Sequence, residues 1–353
     1  MQPVRELLAK EHRINWAGIG DGMHVIATLW MVAFCAFLAA TGAKANDAAY
    51  DGAVVFRSTV AENSTLDIEL SDWNDDRRRF VSAMIDDMLA RAPGLFARAT
   101  QAGPLNIYLT TTETPSHPAA AWARRRHENS LIVRHDFFRT GHPNRFGVDY
   151  THWLFVHEIA HLADPVDRIG QSPAWSDAIV PVIANIEADL AAQNMNLRQA
   201  MFAFRDEPAI ARGLPSVYAA ISIHEALAEL TAAVYFDIDL DIAPAPRAVL
   251  LEHQFALPTQ TDSALTDHYR RAYRAYRDGR FDDASAILSE AIDLDPTFGM
   301  GHYLLGYTHL QMGEARLAYA DWQRSLRLFG DIDPLLASEV ASSIETIRQS
   351  LGK

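Results

Sequence analysis

The sequence predicts an α+β domain followed by an all-α, solenoid-like tail. Three observations predict it. Helix-period and strand-period patterns alternate over roughly the first two thirds of the 353 residues. A 34-residue self-similarity then begins near Leu265 and runs toward the C-terminus. The single cysteine, Cys35, forbids an intramolecular disulfide, so an apolar core has to carry the fold, and a 49% hydrophobic composition supplies one.

Charge limits the partners. The net charge of −14 leaves no broad surface to neutralise phosphates, so a nucleic-acid partner is not expected.

Residues 1–22 are polar, and residues 25–40 (VIATLWMVAFCAFLAA) are continuously apolar. Ala43-Lys44-Ala45 gives a small-x-small cleavage pattern, so residues 1–45 read as an export signal. The apolar run is long for a signal core and short for a full span, which leaves retention as an N-terminal membrane anchor as the alternative. An exported acidic chain without disulfides fits the periplasm of a bacterium, or the inner membrane with the folded domain on the periplasmic side. Membrane contact is expected only through this segment if it is not cleaved.

The next domain is placed at 46–258. Residues 53–56 and 66–70 read as strands, and 75–99 as one amphipathic helix through Phe80, Met84, Met88 and Leu89. Residues 105–109 alternate as a strand, and 130–138 form a second strong strand, proposed as the sheet edge that an extended peptide could join. Arg124-Arg125-Arg126 reads as a solvated loop. Helical patterns follow over 175–204 and from Val217 onward, with irregular sequence between.

The chemistry-bearing stretch is DYTHWLFVHEIAHLAD, residues 149–164. It contains His157-Glu158-Ile159-Ala160-His161, an H-E-x-x-H. On a helix, His157 and His161 stand one turn apart on one face, where two neutral imidazoles can hold one Zn²⁺ and Glu158 can act as general base on a water. Pro165 stops the helix.

A catalytic zinc takes three protein ligands and keeps a fourth position open. Two residues compete for the third place. Asp167 lies close in sequence, but Asp164-Pro165 occupies the point where a close-spaced ligand needs a sharp turn. Glu225 lies on the later helical run, with Glu229 one turn on. Glu229 could accept the free ring N–H of a ligand histidine and fix its orientation. Tyr218, two helical turns before Glu225, could donate to an oxyanion in the same cleft. His224 would point about 100° away from Glu225.

The combination Tyr218-x6-Glu225-Ala-Leu-Ala-Glu229 after His157-Glu158-x-x-His161 resembles the glutamate zincins (gluzincins), in particular the Mlc titration factor and lethal-factor type. That resemblance spans about residues 75–240. It implies a zincin-like metallopeptidase domain with His157, His161 and Glu225 as zinc ligands. It implies Glu158 as general base and Tyr218 as transition-state donor, acting on a peptide or protein substrate.

The tail, 263–353, carries the period. Gly279 pairs with Gly313, Ala284 with Ala318, Ala291 with Ser325 and Ile292 with Leu326, and Leu294-Asp295-Pro296 closes the first unit. Small residues at helix turns and crossings at this period match tetratricopeptide repeats, here two with a capping helix over 334–351. So short an array is expected to dock on the preceding domain, and it offers a surface for a protein partner.

Two functions follow from different classes. One is a zinc metallopeptidase. The other is a periplasmic scaffold or assembly factor that works through its repeats and keeps a vestigial or structural zinc site. Hydrolysis of a non-protein amide stands behind both.

Overall fold

The computed structural model describes residues 52–59, 68–101, 103–111, 121–124, 129–138, 142–164, 168–170, 172–329 and 334–350. Residues 1–45, read above as a signal or anchor, lie outside them, as does Asp167. Among the described residues no helix is long and apolar enough to cross a membrane.

The architecture is α+β with a helical C-terminal region. Four strands form one mixed sheet: β1 (Val54–Arg57), β2 (Leu105–Thr110), β3 (Ala121–Arg124) and β4 (Ser130–Arg134), in the order β1-β2-β4-β3. β1 runs parallel to β2 (Val54 opposite Leu105), and β2 parallel to β4 (Ile107 opposite Leu131). β3 closes the row antiparallel to β4, with Ala123 opposite Leu131. Alternation along the strands sets two faces. Leu105, Ile107, Leu109, Leu131 and Val133 enter the main core, while Tyr108, Trp122 and Ile132 form a small cluster on the other side.

Three sequence expectations change here. The helix expected over 75–99 is two helices, α1 (Asp75–Arg91) and α2 (Pro93–Thr100). Ala92 precedes proline, which pushes it out of helical geometry to φ −142°, ψ 60°. The strand expected over 66–70 reduces, within the described residues, to a single bridge between Leu70 and Thr110. The segment 130–138 is not the sheet edge. It is an inner strand to Arg134 and a 3-10 turn over His135–Phe138, and the edge is β3.

Three helices cover the main core's face of the sheet: α1, α2 and α3 (Tyr150–Ala163). Asp149 caps α3, its carboxylate accepting from the N–H groups of Thr151 and His152. The chain continues through α4 (Pro173–Ala191), α5 (Leu197–Phe202), the single turn α6 (Glu207–Ile210) and a 3-10 turn, Tyr218–Ala220. Then comes α7 (Ile223–Tyr235), capped by Ser222, whose hydroxyl accepts from Glu225 N–H. The run expected to be helical from Val217 is therefore broken at Ser222, so Tyr218 and Glu225 stand on separate elements.

α7 divides two cores. Ala232, Ala233 and Tyr235 pack with the sheet, whereas Ile223, Ala226, Leu227 and Leu230 pack with α4, the 3-10 turn and α8 (Pro244–Val249). α3 and α7 lie against each other between these cores, which puts the H-E-x-x-H face and the first turns of α7 opposite one another.

The C-terminal region is a row of antiparallel helices: α9 (Gln260–Arg277), α10 (Phe281–Leu294), α11 (Gly299–Gln311), α12 (Ala315–Phe329) and α13 (Pro334–Ser350). α9 begins three residues before the boundary read from sequence. The turns after α9 and α11 each use a glycine at positive φ, Gly279 at +75° and Gly313 at +79°, 34 residues apart. Buried small residues recur at the same spacing: Ala284 with Ala318, and Ala291 with Ser325. The row is tied to the rest of the chain by Asp262, which pairs with Arg98 at 3.4 Å and Arg168 at 2.7 Å, and by Asp295, 3.1 Å from Arg168.

Candidate metal centre

Two helices build the site. α3 supplies His157 and His161 from one face, and the first turn of α7 supplies Glu225. His157 Nε2, His161 Nε2 and Glu225 Oε2 form a triangle with edges of 3.2, 3.2 and 3.5 Å. Among the described residues they are the one group of three such side chains whose ligand atoms come close enough to share a cation.

The donor set fits Zn²⁺. Ligand atoms at about 2.1 Å from a tetrahedral centre stand about 3.4 Å apart, the size of the observed triangle. Glu225 Oε2 is buried and accepts no hydrogen bond, although both imidazoles lie beside it. In the neutral ring that a metal requires, Nδ1–H is donated to Glu229, 3.0 Å away, and Nε2 presents its lone pair toward Glu225. Three electron-pair donors converging on one point, one of them an orphaned carboxylate oxygen, call for a cation between them.

Glu229 is held at both oxygens. Oε1 accepts from Trp153 Nε1 at 3.1 Å besides His157, and Oε2 accepts from the Ser216 hydroxyl at 3.0 Å. These contacts answer the desolvation of an acid that is only 8% exposed.

Electrostatics follow from this crowding. Burial resists charge on His157, but its contacts with Glu225 and Glu229 outweigh that and raise its pKa well above the usual imidazole value. Burial likewise pushes Glu225 up, and the two imidazoles overcome it, holding the carboxyl far below its ordinary range. Glu158 is pushed up to about 7, chiefly by burial and further by Glu225, against the lowering effects of His157 and of the Ala123 N–H that it accepts. That last contact sets β3, the edge strand, against the site.

Tyr218 reaches the cleft from its own 3-10 turn. Its ring centroid lies 6.0 Å from that of His157, the Glu225 carboxylate lies near its hydroxyl, and it remains 40% exposed. Burial of the phenol and the neighbouring carboxylates, Glu225 first, raise its pKa, so it stays protonated as a donor.

Other candidates lie elsewhere. Asp164 ends α3 and turns its carboxylate to the N–H groups of Ile169 and Gly170 at 2.7–3.1 Å. His224 packs on Gly170, where an added Cβ would meet its Nδ1 at 2.7 Å. Sequence reasoning missed the polar role of Trp153, although its place one turn before His157 on the same face was a signal. It also missed Ser216 and the Ala123 N–H, whose positions depend on chain tracing that no local pattern encodes.

No protein-family model, curated protein or solved structure matches this chain.

Proposed function

We propose that this chain is a zinc-dependent metallopeptidase of the gluzincin type, with a tetratricopeptide-repeat tail. One observation carries the reading: the His157–His161–Glu225 triangle has the dimensions of a tetrahedral zinc face, with the carboxyl of Glu158 buried beside it. A structural zinc site closes on four protein ligands and has no use for an adjacent base. Three ligands plus Glu158 is the composition of a hydrolytic centre.

Bound Zn²⁺ would supply Lewis acidity, polarising a carbonyl oxygen and lowering the pKa of water toward neutrality. Glu158, buried beside the ligands, takes the proton of the attacking water and delivers it to the leaving amine. Tyr218 donates a hydrogen bond to the carbonyl oxygen as negative charge develops there. Glu229 keeps His157 in the tautomer that presents Nε2. β3, the last strand in the sheet order, packs on the helix of Glu158, where an extended peptide could run beside it. On the sequence reading of residues 1–45, this domain works in the periplasm, released or tethered.

The test is Glu158→Gln. It should bind zinc with the wild-type stoichiometry while cleavage of a peptide library falls at least about 100-fold. Wild-type turnover by that variant would reject the mechanism. Zinc in the wild type with no cleavage of any peptide would instead favour a scaffold that acts through its repeats.

A further inference from the structure

The Ser216 hydroxyl lies between two parts of the site. It donates to Glu229 Oε2 at 3.0 Å and accepts from the Ala219 N–H at 3.2 Å. Through Glu229 it reaches His157, whose Nδ1 sits on the other carboxylate oxygen. Through Ala219 it reaches the 3-10 turn that carries Tyr218. A second tether holds the same corner: the buried Asp206 accepts from Val217 N–H at 2.7 Å and pairs with Arg145.

Tyr218 needs such support. It does not ride on α7 with Glu225, because Ser222 breaks the helix between them. A turn of three residues has few internal hydrogen bonds to fix its direction. Orienting a donor toward a developing charge demands placement within a fraction of an ångström, so the turn must be anchored from outside.

We propose that Ser216 is a positioning residue that sets the orientation of the His157 imidazole and the placement of Tyr218 through one hydroxyl. The inference rests on the zinc-peptidase reading for Tyr218, but its His157 half concerns metal affinity alone. Loss of the hydroxyl leaves Glu229 Oε2 and Ala219 N–H without their shared partner. Glu229 can then rotate, and the Tyr218 turn loses a tether.

The experiment uses the full chain and the metal alone as first probe. Ser216→Ala should weaken zinc binding several-fold in a chelator competition, with Ser216→Thr restoring most of the affinity because it keeps the hydroxyl. It should also change the visible spectrum of the Co²⁺-loaded protein. In a Glu229→Gln background, Ser216→Ala should add nothing to the affinity loss, because both act on the same carboxylate. On a cleaved peptide, Ser216→Ala should lower kcat with KM nearly unchanged.

Unaltered zinc affinity and Co²⁺ spectrum in Ser216→Ala would overturn the proposal. An additive loss in the double variant would do so too, since it would mean that Ser216 does not act through Glu229. Absence of zinc binding by the wild type would reject the underlying reading instead, which keeps the two failures apart.

Discussion

His157 and Glu229, 72 residues apart in sequence, meet at 3.0 Å between Nδ1 and Oε1. This contact decides which nitrogen of His157 faces Glu225. Glu229→Gln keeps the shape but removes the charge that holds the imidazole N–H. Zinc affinity should fall about 10- to 100-fold. Titration against a chelator of known affinity measures it. An unchanged affinity would show that Trp153 and packing orient His157 without Glu229.

The third ligand can be read from metal content. Glu225→Ala removes one corner of the triangle and leaves two imidazoles, so the purified protein should lose stoichiometric zinc. Asp167→Ala should keep it. Asp164, three residues before Asp167, already turns its carboxylate to backbone N–H groups of the following loop, away from the ligand face of α3. Retention of zinc by Glu225→Ala and its loss by Asp167→Ala would reverse the assignment.

Much of this was legible in the sequence because it depends on local spacing. The i, i+4 relation of His157 to His161, and of Glu225 to Glu229, fixes which side chains share a helix face before any tertiary contact forms. The glycine turns at 279 and 313 were legible for the same reason. What sequence could not supply was anything settled by strand order or by a helix break. Residues 130–134 look like any strong strand, and only pairing on both sides makes β4 an inner strand and β3 the edge. Sequence alone puts Tyr218 on the helix of Glu225, because VYAAIS has no glycine or proline to break it. The competing signal was Ser222, a good N-cap three residues before Glu225, whose side chain begins a new helix.

Gly306 tests the packing of the helical region. An added Cβ there would stand 2.4 Å from Cδ1 and 2.5 Å from Nε1 of Trp322, a side chain 1% exposed and bonded to the Tyr303 carbonyl. The indole cannot withdraw without losing that bond and its place in the core. Gly306→Ala should destabilise by about 1–3 kcal/mol, measured by chemical denaturation. Gly279→Ala meets no atom within 4 Å but holds φ +75°, so it should cost only about 1 kcal/mol, all of it from backbone strain. Equal effects would mean that the helix pair at Gly306 can separate to admit a methyl group.

Asp262 predicts how the helical region responds to acid. Its carboxylate caps α9 by accepting from Thr259 N–H at 3.0 Å, and it faces Arg168 and Arg98 from outside the helical row. Burial raises its pKa, but those partners prevail and hold it below the usual aspartate value. A carboxylate with a lowered folded-state pKa stabilises the fold fully above its unfolded value, near 4, and loses that contribution as pH falls through the folded value. Asp262→Asn keeps the size and removes the charge. The wild type should therefore melt at a higher temperature than Asp262→Asn at pH 7, and the gap should close as the pH drops below about 4. The same titration followed by hydrogen exchange should show α9 losing protection first, since its cap and its anchor to Arg168 are one carboxylate. A gap that stayed constant down to pH 3 would show that packing, and not the charge on Asp262, fastens the helical region to the rest of the fold.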